Sequence, residues 1–262
     1  MSRDAPRRAD CALGPPPSSS FAKEERLGSL LLSAAPRNPR LNRDASIPGM
    51  SEHLSMNTVI HAAVRRDLQR FTKALEEFPA GSSQRAADLD RAWQHLDHQL
   101  YHHHHSEETI FWPALREAGA DESLVGDLGG EHDRMAEAMT RTRTAMSAFA
   151  ADPDGQRLEQ AKAAFAGLTE AVETHFAHEE RDLEPFQAQV IDTPPMRRAA
   201  RQIRRAQSPA EAGGYLAWLA DGADPVAQAF LMQQIPAPVL IILSRLLGRS
   251  YTRKIAPIWR AT

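Results

Sequence analysis

The chain of 262 residues is 42% hydrophobic and 25% charged, with a net charge of −3. This composition excludes a wholly disordered or collagen-like chain and suits one or two folded domains. The single cysteine, Cys11, excludes an internal disulfide. The longest apolar run, residues 236–247, is interrupted by Ser244 and Arg245 and is too short to span a membrane, so we expect a cytoplasmic protein.

Charge divides the chain into three parts. Residues 1–49 carry 8 basic and 5 acidic residues, residues 50–196 carry 13 and 26, and residues 197–262 carry 10 and 3. The first part is rich in Pro, Ser and Arg and shows no hydrophobic period, which predicts a disordered segment at 1–49, with Met50 as an alternative start. We predict one helical domain at 50–192 and a basic helical extension at 193–262.

Four segments between residues 56 and 190 carry apolar residues at spacings of three and four, the period of an amphipathic α-helix. The stripes include Ile60, Val64, Leu68 and Phe71, then Leu96 and Leu100, then Met135, Met139 and Phe149, and last Leu158, Phe165 and Val172. Helix-breaking residues at 79–82, 118–121 and 152–155 separate the segments. The pattern predicts an all-α, antiparallel four-helix bundle. Shorter helical patterns follow at about 210–220, 224–233 and 237–247.

A His-x-x-x-Glu pattern occurs twice in the bundle region. His103 precedes Glu107, His175 precedes Glu179, and each Glu is followed six residues later by a proline. His61 lies 42 residues before the first pattern, and another histidine lies 43 residues before the second. We interpret the region as two helical hairpins of the same plan, because an internal repeat is stronger evidence than either motif alone.

This spacing has a chemical consequence. Side chains four residues apart on a helix lie about 40° apart around the axis and about 6 Å apart along it. Each His and Glu pair therefore points to one place in the bundle interior. Buried carboxylates and imidazoles without partners are costly, and a pair of metal ions removes that cost. Mixed nitrogen and oxygen donors favour iron, manganese or zinc over calcium or magnesium, and six protein ligands leave open positions.

With this pattern the chain resembles the hemerythrin family, specifically its bacterial hemerythrin-like members, over about residues 56–190. Residues 111–115, which follow the first pattern, also resemble that family. The resemblance implies a four-helix bundle with a non-haem di-iron centre of two iron ions, and binding of dioxygen, peroxide or nitric oxide, or iron handling. The ligands that it implies are His61, His103, Glu107, His132, His175 and Glu179.

One position departs from the family pattern. Oxygen-carrying hemerythrins have a second histidine one turn after the ligand of the third long helix, and this chain has Ala136 there, counted from His132. We expect one iron to be more open, which weakens reversible oxygen storage and favours sensing or the chemistry of peroxide or nitric oxide. Glu137 follows directly but points about 100° away from the direction of Ala136.

The run of four histidines at 102–105 leaves a second register open. His104 with Glu108 could replace His103 with Glu107, and we expect one histidine of the run to face inward because successive residues rotate by about 100°. His95, His98, His102, His105 and His178 are expected on the surface or around the ligands. A ligand imidazole often donates its other N–H to a carboxylate, for which Glu108, Glu180 and Asp97 are candidates.

The basic C-terminal segment has two interpretations. Residues 239–243, followed by arginines, could lie on an anionic membrane, but we favour docking on the acidic bundle. No motif supports nucleic-acid binding. The expected partner is a small diatomic or peroxide ligand. The leading hypothesis is a protein that binds or senses such a ligand. The alternatives are a di-iron enzyme, either a peroxidase or nitric-oxide-consuming, and an iron storage or trafficking protein.

Overall fold

The structure is a computed structural model that describes residues 54–235 and 246–260. Within these ranges the chain forms α-helices and no strand, so the predicted all-α fold is confirmed. The helices are α1 (Met56–Glu76), α2 (Ser83–Ser106), α3 (Trp112–Glu117), α4 (Glu122–Ala151), α5 (Gly155–His178), α6 (Glu184–Val190), α7 (Pro194–Ala206), α8 (Pro209–Ala220), α9 (Pro225–Gln234) and α10 (Arg249–Lys254). The segment predicted to be disordered, the alternative start at Met50 and most of the helix predicted at 237–247 lie outside the described residues.

The four long helices α1, α2, α4 and α5 form the predicted bundle. Each packs against two of the others, in the cyclic order α1, α2, α4, α5. The apolar stripes read from the sequence are buried at their centre, including Leu68, Leu96, Met139 and Val172. Phe71 and Phe165 stack with ring centres 4.4 Å apart in the half of the bundle away from the His-x-x-x-Glu patterns.

Local sequence explains where these helices begin. Ser55, Ser82, Asp121 and Asp154 are the N-caps of the four long helices, and each side chain accepts a hydrogen bond from a backbone N–H of the first turn. The predicted breakers at 79–82, 118–121 and 152–155 coincide with the three connections. Antiparallel neighbours follow from these short connections.

Two π-helical turns interrupt the bundle at equivalent places. They span Glu107–Phe111 after α2 and Glu179–Leu183 after α5, so each begins at the Glu of a His-x-x-x-Glu pattern. The chain then continues as α3 and α6, whose second residues are Pro113 and Pro185. A proline cannot donate the usual helical hydrogen bond, and the wider turn before it accommodates this loss while the helix continues.

The described part of the C-terminal extension packs on the bundle. Helix α7 contacts α3, α8 contacts α1, and α10 contacts α8. Trp218 of α8 is fully buried, and its Nε1–H donates to Asp67 Oδ2 of α1 at 2.7 Å. Apolar side chains of the extension join the core of the bundle. Residues 239–243, for which docking on the bundle was predicted, lie outside the described residues. None of the helices that the structure describes is long and apolar enough to cross a membrane.

Candidate metal centre

The first group of possible ligands joins the two hairpins. His61 of α1, His103 of α2, Glu107 and Glu179 each place one donor atom within 4.8 Å of the others. The Nε2 atoms of His61 and His103 are 3.2 Å apart. Two nitrogens bound at right angles to one ion, each at about 2.1 Å, are about 3.0 Å apart. The two imidazoles therefore have the separation of neighbouring ligands.

The second group lies beside the first. His104 of α2, Glu107, His132 of α4 and His175 of α5 also place donor atoms within 4.8 Å of one another, and all four are buried. The Nε2 atoms of His132 and His175 are 3.1 Å apart, close to the separation in the first group. Each hairpin therefore contributes one pair of histidines from its two long helices.

Two carboxylates lie between the histidine pairs. Glu107 Oε1 is 3.3 Å from His103 Nε2, and Glu107 Oε2 is 3.4 Å from His132 Nε2. Glu179 Oε2 is 3.3 Å from His61 Nε2 and 3.9 Å from His175 Nε2. These three buried oxygens have no hydrogen-bond partner among the described residues. Because unpaired buried carboxylates cost several kcal/mol, the arrangement fits two cations placed between the histidine pairs.

Further carboxylates orient two of the histidines across the pseudo-repeat. His61 Nδ1 donates to Glu180 Oε1 at 2.8 Å, and His132 Nδ1 donates to Glu108 Oε1 at the same distance. Each bond connects a histidine of one hairpin with the residue after the Glu of the other hairpin. These bonds hold the Nδ1 protons, so Nε2 is the nitrogen of each ring that faces the interior and can bind a metal ion.

The third long helix orients the histidine of the fourth in a similar way. Glu131 accepts hydrogen bonds from His175 Nδ1 at 3.1 Å and from His178 Nδ1 at 2.9 Å. Arg65 supports Glu180 by donating to both of its oxygens, at 2.7 and 3.3 Å. The candidate ligands are therefore held by a surrounding set of ion pairs rather than by packing alone.

The buried carboxylates make the interior of the candidate centre favourable for positive charge. Burial disfavours protonation of His61 and His132, but their carboxylate neighbours outweigh it and raise the pKa of each to about 9. Burial and repulsion from Glu179 raise the pKa of Glu107 to about 7. Burial also opposes ionisation of Glu179, but the adjacent His61, whose Nε2 is 3.3 Å from Glu179 Oε2, outweighs it and keeps the pKa of Glu179 well below the usual range. A cation bound in each group would satisfy the same carboxylates.

Aromatic rings cover the candidate centre. Phe176 stacks on His61 with ring centres 3.6 Å apart, and Trp112 stacks on His132 at 4.4 Å. Burial lowers the pKa of His103 and of His104 well below the ordinary value, so both rings are neutral and can bind a metal ion. The environment combines neutral nitrogen donors, carboxylate oxygens and limited access of water.

The structure brings together all six residues predicted as ligands: His61, His103 and Glu107 with His132, His175 and Glu179. It also adds His104. The expectation that one histidine of the run at 102–105 faces inward is wrong, because two adjacent groups lie along α2 and successive histidines reach different ones. The sequence signal for this second inward residue is the histidine directly after His103, which becomes meaningful only when the bundle interior holds two metal groups.

Other residues considered from the sequence take different places. Glu108 and Glu180 accept histidine N–H groups as suggested, whereas Asp97 pairs with Arg143 at 2.7 Å. The side chain of Glu137 is 75% exposed, so it does not replace the histidine that is absent at Ala136. His98, His102 and His105 are exposed, and His178 is partly buried against Glu131, as noted above.

Comparison with known proteins decides the family. A family model described as the hemerythrin HHE cation binding domain matches residues 57–220, which is more than half of the chain. The chain belongs to the hemerythrin HHE family. No curated protein and no solved structure matches it. The match runs from the start of α1 to the end of α8 and so includes part of the extension, beyond the predicted boundary at residue 192.

Membership of the hemerythrin HHE family makes this a metal-binding protein, with iron as the metal that the family implies. The two His and Glu groups are compatible with that role in their chemistry and burial. The hemerythrin resemblance stated from the sequence is therefore confirmed, and so is the fold that it implied.

Proposed function

We propose that this protein holds two iron ions and binds or senses dioxygen, peroxide or nitric oxide. The observation that carries the proposal is the position of Glu107 and Glu179 between two histidine pairs, with three buried oxygens unpaired among the described residues. The donor types support iron, because iron binds mixed sets of imidazole and carboxylate ligands, whereas calcium and magnesium prefer oxygen ligands alone. The ligands proposed for the two ions are His61, His103, Glu107, His132, His175 and Glu179.

Two iron ions in this donor set would supply redox-active metal with coordination positions left open for a small ligand. The chain's own residues perform the remaining tasks. Glu180 holds the proton on Nδ1 of His61, and Glu108 holds the proton on Nδ1 of His132. The Nε2 atom of each ring is therefore the one that would bind a metal ion. Phe176 covers one of these rings and so restricts water at the centre.

The contacts around the proposed ligands favour tightly held metal ions over the exchangeable ions of a storage site. The six proposed ligands come from the four long helices and the two π turns, and their side chains are at most 6% exposed. Three of the four proposed histidine ligands are held by carboxylates outside the candidate ligand groups. A storage or trafficking protein needs exchangeable metal, whereas these contacts oppose release. We further propose that the protein works in the cytoplasm on a small diatomic or peroxide ligand.

Metal content tests the centre. We expect about two iron ions per chain after anaerobic loading with ferrous iron and desalting, with an optical spectrum that changes on exposure to oxygen or nitric oxide. Glu107→Gln and Glu179→Gln keep the side-chain size but remove the negative charge, so each should retain less than about half an ion per chain. Glu137→Gln on the exposed face of α4 is the control and should retain the wild-type content.

Full iron retention in both variants would refute the ligand assignment. The function is separated from its alternatives by the response of the loaded protein to hydrogen peroxide and nitric oxide. A stable spectral adduct without turnover supports binding or sensing, whereas rapid multiple turnover supports the enzyme. Iron that passes freely to a weak chelator within minutes supports storage or trafficking.

A further inference from the structure

We propose that His104 is a seventh protein ligand and gives the second metal position a third imidazole. The proposal rests on the proposed function, because it requires ions at both His and Glu groups. His104 lies outside the repeated pattern of histidines and glutamates that defines the six other ligands. It would occupy, from α2, the role left empty on α4 at Ala136.

His104 is buried beside the other members of the second group. The residue is 4% exposed, and one of its ring nitrogens lies within 4.8 Å of donor atoms of Glu107, His132 and His175. Its ring centre is 4.4 Å from that of His132, while the rings of His132 and His175 are 4.5 Å apart. Rings that bind one ion at right angles have centres about 4.5 Å apart when each nitrogen is about 2.1 Å from the ion.

The ring of His104 also has an unsatisfied nitrogen. The Nε2 atom of His104 is buried and has no partner in the described part of the chain. A buried polar atom without a partner costs about 1–3 kcal/mol, so natural proteins rarely leave one. Both oxygens of Glu107 are in the same condition beside it. A cation between them satisfies the nitrogen and the carboxylate together.

The internal repeat provides a comparison within the same molecule. In the register that aligns His103 with His175, His104 aligns with Phe176. Phe176 stacks on His61, and His104 packs on His132, so both rings cover the histidine of a neighbouring helix. An apolar ring is sufficient for that packing in one half of the bundle. The nitrogen atoms in the other half therefore need a separate explanation, which metal ligation supplies.

The consequence is an unequal pair of metal positions. The first group contains two imidazoles, from His61 and His103, and the second contains three, from His104, His132 and His175. On this proposal, the absence of a histidine at Ala136 does not leave the second position short of nitrogen.

The repeat also provides the test variant. His104→Phe places at this position the residue that its counterpart carries, so the packing is retained while the nitrogens are lost. His105→Phe makes the same change at an exposed neighbour and is the matched control. Each protein is loaded anaerobically with ferrous iron and desalted, and iron per chain is measured before and after a chelator challenge. We expect about two ions per chain in the wild type and in His105→Phe, and about one in His104→Phe.

A His104→Phe protein that retains as much iron as His105→Phe overturns the inference while the proposed function stands. A wild-type protein that retains no iron overturns both. A crystal structure of the iron-loaded wild type gives a second test that does not depend on a variant folding. We expect a His104 nitrogen at about 2.1 Å from the second ion, and a separation above about 3 Å would refute ligation.

Discussion

At the scale of single residues, the candidate centre depends on which nitrogen of each histidine faces inward. His61 and His132 have Nδ1 bound to a carboxylate and Nε2 directed at the other histidine of their group. The carboxylate therefore holds the Nδ1 proton and leaves Nε2 as the nitrogen that can bind a metal ion. This pre-orientation lowers the cost of ordering the ligands, and it raises the donor strength of the imidazole.

Loss of one outer carboxylate should weaken metal binding without abolishing it. Glu180→Ala removes the acceptor of His61 Nδ1, so the ring gains rotational and tautomeric freedom. We expect the iron affinity to fall about 10–100-fold, measured by competition with a chelator. Glu137→Ala, at a side chain that is 75% exposed, should leave the affinity unchanged. Equal affinities of the two variants would contradict the orienting role of Glu180.

At the scale of helices, the two carboxylates that lie between the histidine pairs stand where an α-helix becomes a π turn. The N–H of Trp112 bonds to the carbonyl of Glu107, and the N–H of Glu184 bonds to the carbonyl of Glu179, five residues back in each case. The extra residue per turn changes the direction of the following side chains. It also lets the helix pass Pro113 and Pro185 without a break, so ligand position and helix continuation are coupled.

The opposite half of the bundle should determine stability without contributing to the metal centre. Phe165 stacks on Phe71 and contacts the ring of Trp93, with ring centres 4.4 and 5.3 Å apart. Phe165→Ala leaves a cavity in this cluster, and we expect a loss of about 3–5 kcal/mol in the free energy of unfolding. Denaturant unfolding of the metal-free protein measures the loss. Iron per folded chain should stay at the wild-type value, and Phe165→Leu should lose less stability. A loss below about 1 kcal/mol for the alanine variant would show that the site collapses on itself.

At the scale of the whole molecule, buried charge joins the extension to the bundle. Asp67 is 1% exposed and accepts hydrogen bonds from Trp218, Arg66 and Arg70. Arg70 also donates to Asp221 Oδ2, in the turn after α8, at 3.2 Å. A buried carboxylate with several donors is costly to expose and costly to leave half-paired, so it specifies one docked arrangement.

Docking of the extension should weaken in acid because of His95. Its ring contacts Trp218 and Tyr251 of the extension, and burial lowers its pKa from 6.5 to about 4. Asp67 favours the charged ring, whereas His98 and Arg66 disfavour it. The undocked ring takes up its proton near pH 6.5 and the docked ring near pH 4, so the docked state binds fewer protons in between. The contribution of His95 is present above pH 6.5 and is lost as the pH falls through this window.

Hydrogen exchange of α8 measures this effect. Exchange in wild-type α8, corrected for the intrinsic rate, should become faster between pH 6.5 and pH 4.5 relative to exchange in α4. His95→Leu cannot be protonated, so its α8 should show less of this acceleration. An equal pH dependence in the two proteins would contradict the assignment to His95.

The sequence by itself determined the helices, the breaks between them and the six repeated ligand candidates, because each depends on residues close together along the chain. An apolar period of three to four, a helix-breaking residue and a His-x-x-x-Glu spacing all act within one or two turns of helix. The internal repeat then related the two hairpins without any structural information.

Only the tertiary structure decided how residues far apart in the chain meet. The bond from His61 to Glu180 spans 119 positions, and the bond from Trp218 to Asp67 spans 151. The inward position of His104 likewise depends on two metal groups lying side by side along α2, which a single helix cannot reveal. Local spacing sets the face on which a side chain lies, whereas the packing of helices against one another sets what that face meets.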